Sequence, residues 1–183
     1  MSRREAVRTT ATVLGGVLLT SSGFLVACTR ERAKAPGAGV LSADDQSLIE
    51  EIADTLLPTT AASPGAKAAG AGAAINVLLT DCWEPDRQQR VVEGLKQFRR
   101  TCQETTSAAF ATLPPARREA LLREIDTEAQ RAGDAHYFSL VRDLALQAYF
   151  SSEVGMTRAR RWILVPGKWV GCVPLAPGQP AWA

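Results

Sequence analysis

Four cysteines occur in 183 residues, and none stands in a Cys-x-x-Cys-His arrangement, so the chain has no c-type haem attachment site. It has one histidine, His136. A single imidazole without ligand-spaced cysteines or carboxylates does not make a metal set. Any Ser/His/Asp constellation would also have to rest on it alone. His136 reads instead as a packing or capping group near the start of a helix. Gly70 and Gly72 lack the third glycine and the preceding strand that a dinucleotide site needs. No stretch alternates convincingly as a β-strand, and no run of about 20 strongly apolar residues makes a secure membrane span.

The first thing present is a segment laid out like an export signal, with a charged start, an apolar middle and a small-residue exit. Arg3, Arg4 and Arg8 form the charged end, and the middle runs from Thr9 to Ala27, diluted by glycine, serine and threonine. Ser2-Arg3-Arg4-Glu5-Ala6-Val7 resembles the twin-arginine signal, which carries proteins that are already folded. It departs from that signal at Ala6, where a large apolar residue is usual. The competing reading is a general secretory signal whose two arginines are coincidental. Leu25-Val26-Ala27-Cys28 matches a bacterial lipobox, so Cys28 is the expected lipidation site. Acyl chains worth about 0.8 kcal/mol per buried CH₂ give durable attachment to a membrane. The alternative at Cys28 is a chance cysteine at the end of a signal that is cut elsewhere. The expected organisation is an export signal over 1–27, a flexible tether over 28–41, a helical domain over 42–164 and an extended strap over 165–183.

Loss of residues 1–27 would leave 156 residues, enough for one domain with a real core and not for two. It would also take three arginines and one acid from totals of 21 and 19, leaving 18 of each sign. A balanced surface gives no electrostatic footprint for nucleic acid, so the expected partner is protein. With Cys28 lipidated, Cys82, Cys102 and Cys172 remain, an odd count that suggests an intermolecular bridge or a free thiol. Cys82 and Cys102 read as plain buried thiols in helices. Cys172 lies in a Pro/Gly-rich tail with no core of its own. It is the candidate for an inter-subunit disulfide, with an inert or internally paired cysteine as the other reading.

Helical periodicity dominates the rest. Ser42 and the acids behind it cap a helix carrying Leu48, Ile49, Ile52, Ala53, Leu56 and Leu57, which Pro58 stops. A second is expected from Ala66 to about Cys82, and a third from Pro85 reaching as far as Leu113. A fourth starts at Pro115, with Gly133-Asp134 ending it and capping the next. The fifth, Ala135 to Phe150, is apolar around most of its circumference and belongs at the centre. A short last helix is expected from Ser152 through Trp162. The fold class is all-α, an irregular bundle of about five to six helices. Beyond it Pro166, Gly167, Gly171, Pro174, Pro177, Gly178 and Pro180 forbid regular helix. Trp169 and Trp182 must bury themselves on these helices or on a partner.

Several pieces resemble the small subunit, subunit 3, of gluconate 2-dehydrogenase and related flavin-dependent sugar dehydrogenases. They are Ile52-Ala-Asp-Thr-Leu-Leu-Pro58, Pro64-Gly-Ala-Lys67, Tyr149-Phe-Ser-Ser-Glu-Val-Gly-Met-Thr157, Val165-Pro-Gly-Lys-Trp-Val-Gly-Cys-Val-Pro-Leu175 and Pro180-Ala-Trp-Ala183. The chain departs from the family at Trp169-Val170, where a smaller aromatic followed by an acid is usual, and in the basic, apolar stretch from Arg158 to Leu164. The resemblance implies a non-catalytic subunit without flavin or haem of its own. It would pair with a large FAD-bearing dehydrogenase subunit and, commonly, a multihaem cytochrome c subunit. It would also supply the export signal under which the folded flavoprotein crosses to the periplasmic side of the bacterial inner membrane. Glu153, Met156, Trp169 and Trp182 are then the candidate partner-interface residues. The main alternative is a stand-alone envelope lipoprotein acting as a binding or scaffold module; an enzyme in its own right ranks last.

Overall fold

The structure is a computed structural model that describes residues 39–182 apart from 166, 168, 169 and 175. Within them the chain forms five α-helices: α1 Ala43–Leu56, α2 Ala71–Cys82, α3 Pro85–Thr106, α4 Pro115–Ala132 and α5 Tyr137–Phe150. Two 3-10 turns, Phe110–Thr112 and Gly133–Ala135, and a π turn at Gly155–Ala159 complete the regular structure. The all-α expectation holds. The one β-type contact among the described residues is an isolated bridge between Arg161 and Trp182.

Helix α1 begins where the sequence puts a cap. The Ser42 hydroxyl accepts from the Asp45 backbone N–H at 3.1 Å, satisfying one of the free amides of the first turn. Helix α2 starts five residues later than its alanine content suggests. Residues 66–70 form a turn, and Gly70 takes a left-handed φ of 69° that a helix cannot continue through. Helix α3 ends at Thr106 and does not reach Leu113. Ser107 turns left-handed at φ 55°, and the reversal brings the Phe110 ring edge-on to Phe98 with centroids 5.1 Å apart. The cap of α5 is His136, whose Nδ1 accepts from the Phe138 backbone N–H at 3.2 Å. The expectation that Gly133-Asp134 caps this helix is therefore corrected, and His136 has the capping role. The last expected helix stops at Ala159, so Trp162 lies outside it.

The central helix is α5. Nine of its fourteen residues are buried, on more than one side, and it packs against all four other α-helices. Phe138, Val141, Leu144 and Ala145 are fully enclosed. They meet Ile75 and Leu79 of α2, Val91, Leu95 and Phe98 of α3, Leu122 and Ile125 of α4, and Ile49 and Ile52 of α1 in one continuous core. Cys102 lies in this core as expected, but Cys82 is exposed. It is the last residue of α2, where the chain swings into extended conformation at Trp83. No helix of the described residues is long and apolar enough to cross a membrane.

Leu144→Ala tests the centrality of α5. Removing a fully enclosed leucine costs ~2–5 kcal/mol. At roughly 3 °C per kcal/mol for a unit of this size, the melting temperature should fall by about 6–15 °C. A shift below 2 °C by calorimetry would mean that this position is not a packing centre.

Candidate functional site

The distinctive surface lies where α5 ends, and the fold positions it by fastening that end from two directions. The Tyr149 hydroxyl donates to the Pro64 carbonyl at 2.8 Å and lies 2.6 Å from the Ser63 hydroxyl. The loop before α2 is thereby tied to the last turn of α5, bringing together two of the family-like pieces. On the far side, the Ser152 hydroxyl donates to the Tyr149 carbonyl at 2.6 Å and accepts from the Gly155 N–H at 3.0 Å. A Cβ at Gly155 would lie 2.0 Å from the Tyr149 carbonyl oxygen, so only glycine lets the chain turn this tightly. The Ser-Glu-x-Gly pattern is thus a helix-ending device. Glu153 of this pattern is exposed and Met156 is half-buried.

Beyond the π turn the chain leaves the core. No described residue after Ala159 belongs to the core or packs against it as a partly buried hydrophobic. Trp162, Leu164, Val165, Val170, Val173 and Trp182 are all exposed; Leu164 and Val165 each keep 75% of their surface and Trp182 45%. Cys172 is exposed and unpaired. Trp169 lies outside the described residues, as do Arg3, Arg4 and Cys28. Of the predicted interface residues, the structure therefore places Glu153 and Met156 at the root of the tail and Trp182 at its end.

Two arginines of the basic stretch from Arg158 to Leu164 have defined partners. The Arg160 guanidinium lies 4.9 Å from the centre of the Phe150 ring, and that of Arg161 lies 4.3 Å from the Trp182 ring. Each is a cation over an aromatic face. The spacing of basic residues in the sequence carries no sign of this pairing, because the partner of Arg161 is 21 positions away.

Elsewhere, an open cleft of about 590 Å³ lies between α1, α3 and the Phe110–Thr112 turn, with Leu48, Phe98 and Phe110 among its lining residues. Three of its charged lining residues, Arg99, Glu51 and Lys67, are held in ion pairs. Buried Asp45 meets Arg99 at 2.7 Å. Burial alone would raise the Asp45 carboxyl, but hydrogen bonds from Ser42 and Arg99, with the Arg99 charge, hold it below its ordinary value. Glu51 accepts from Lys67 and, at 2.8 Å, from Arg118. The Lys67 hydrogen bond is the largest influence; against the opposing effect of burial, it and the two positive charges hold the Glu51 carboxyl below its ordinary value. The same contact raises Lys67. Burial, with Glu128 nearby, pushes Tyr137 up to about 12. Among the described residues no three His, Cys, Asp or Glu side chains gather where they could hold a metal ion. His136 stacks on Tyr137 at 4.7 Å.

Among the described residues this is an all-helical protein whose C-terminal tail carries several exposed apolar side chains. The family model for gluconate 2-dehydrogenase subunit 3 matches residues 43–167, and the chain belongs to that family. Membership makes it a component of a multisubunit dehydrogenase complex. The match takes in all five helices, the π turn and the start of the tail, and it ends ahead of Cys172 and Trp182. No curated protein and no solved structure matches the chain.

The Glu51 cluster links α1 to α4 and to the turn before α2, and it predicts a pH dependence. A carboxylate lowered in the folded state adds stability that is complete above its unfolded pKa, ordinarily 4.5, and is lost as pH falls through the folded value. Glu51→Gln should therefore lower the urea midpoint most at pH 7, and the gap to the wild type should close as pH drops below about 4.5. An unchanging gap down to pH 3 would contradict the pairing.

Proposed function

We propose that this chain is the non-catalytic small subunit of a periplasm-facing, FAD-dependent sugar or polyol dehydrogenase complex of the gluconate type. In this reading it is needed for export, maturation and membrane association of the flavoprotein subunit. The observation that carries the reading is family membership over residues 43–167, joined to a tail in which Trp162, Leu164, Val165, Val170, Val173 and Trp182 are exposed. Exposed apolar side chains grouped in one segment mark a contact surface. The redox chemistry would belong to the partners: FAD in the large subunit, and haem c where a multihaem cytochrome subunit is present. Arg3 and Arg4 would direct the folded pair across the membrane, and Cys28 would anchor the complex on the periplasmic side. Cys172, exposed and unpaired within the chain, is the thiol for a disulfide to the flavoprotein.

Co-expression with the flavoprotein tests this. Without the chain, or with Arg3→Lys and Arg4→Lys together, the flavoprotein should stay cytoplasmic. With Cys28→Ser the pair should be exported but released from the membrane fraction. Non-reducing mass spectrometry of the purified complex should show a linked pair that Cys172→Ser abolishes. A flavoprotein exported normally and active without the chain would overturn the assignment. A mature chain that never brings down a flavoprotein would favour a stand-alone envelope lipoprotein.

A further inference from the structure

The segment from Trp162 to Ala181 is drawn shut at its base. The Arg161 backbone N–H donates to the Ala181 carbonyl at 2.8 Å, beside the bridge to Trp182 and beneath the guanidinium that covers the indole. On the other side of this base, the Arg160 N–H donates to the Gly155 carbonyl at 3.0 Å, and its guanidinium covers Phe150. Both ends of a twenty-residue loop are thus held together and to the end of α5. A connection of this length has many open conformations, and closing it beforehand removes an ordering cost from any later binding step. The loop is also nearly without charge, since Lys168 is its one charged residue.

We propose that Trp162–Ala181 is a preformed docking loop, held shut by Arg161 on Trp182, that seats its apolar side chains in an uncharged, apolar groove of the large subunit. This rests on the subunit assignment above and adds to it the docking element and the chemistry of its receptor. Leu164, Val165, Val170 and Val173 supply the contact row. Outside the Arg161–Trp182 bridge, the described residues of the loop join no strand ladder, so amide and carbonyl groups there need other partners. A protein groove offers hydrogen-bond partners for them, whereas the hydrocarbon of a bilayer offers none. A protein receptor is therefore favoured over lipid for this surface.

The test uses the full chain with Cys172→Ser, so that only non-covalent association is read, co-expressed with its flavoprotein. Arg161→Ala opens the base, Arg161→Lys keeps a cation there, and the triple variant Leu164→Ser, Val170→Ser, Val173→Ser removes the contact row with the base intact. Val77→Ser alters an exposed valine of α2 as control. Each variant's melting temperature shows that it is folded, and amide exchange at Arg161 reports whether the loop is shut. The triple variant and Arg161→Ala should each weaken association roughly tenfold or more, as loss of an apolar anchor does. Arg161→Ala should also speed exchange at residue 161, Arg161→Lys should restore much of both, and Val77→Ser should change nothing. Wild-type affinity in either the triple variant or Arg161→Ala overturns the docking loop while leaving the subunit assignment standing. A wild-type chain that captures no flavoprotein removes both. In a Cys28→Ser background, loop-dependent binding to phosphatidylcholine–phosphatidylglycerol vesicles without capture of flavoprotein would assign the loop to lipid and overturn the proposal.

Discussion

Helix α5 has to be surrounded, because its buried residues occupy several faces and water would meet apolar surface wherever a neighbour was missing. The other four helices supply that surround. Helix α2 makes the most extensive contact with α5, α3 and α4 pack on it as well, and α1 contacts both α5 and α2. The turns follow from the same requirement. Ser107 reverses the chain so that Phe110 can return to Phe98, and the Tyr149–Pro64 bond pins the loop that leads α2 into place. Polar groups are used where elements meet the rim of this core. Asp45 with Arg99 joins α1 to α3, and Glu51 with Arg118 joins α1 to α4. Half-exposed pairs such as Lys67–Glu51 add little stability individually, so the bundle stands mainly on buried apolar area.

A core completed by five helices leaves the tail no place inside. This links the fold to the proposed role: the tail is apolar, yet its described residues find no cover on the bundle. What the bundle does provide is a root for the tail, made by Gly155, Ser152 and the Arg160–Phe150 contact. In the proposed role, such a root would limit the entropy lost on assembly. The family places such a chain in a multisubunit dehydrogenase.

Periodicity and composition carried most of this into view. The threefold and fourfold spacing of Leu48, Ile49, Ile52 and Ala53, the prolines at 85 and 115 and the apolar text of α5 each mark an element that the structure contains. The errors fall where tertiary contacts decide. Alanines at 66, 68 and 69 have high helix propensity, but the left-handed Gly70 and the bond from the Ala66 amide to the Leu57 carbonyl hold them in a turn. The end of α3 depends on Phe98 meeting Phe110, which no local pattern encodes. Cys82 looked buried because the residues before it are apolar, yet the helix ends there. At the site, the tail's composition was legible and its closure was not, since Arg161 finds Trp182 only through folding.

The central claim is that the helices make the fold and the tail makes the assembly. Replacing the codon for Trp162 with a stop separates the two. The account predicts a shortened chain whose melting temperature stays within about 2 °C of the wild type and which no longer retains the flavoprotein on purification. A large loss of thermal stability, or a complex recovered in full yield without the tail, would contradict it.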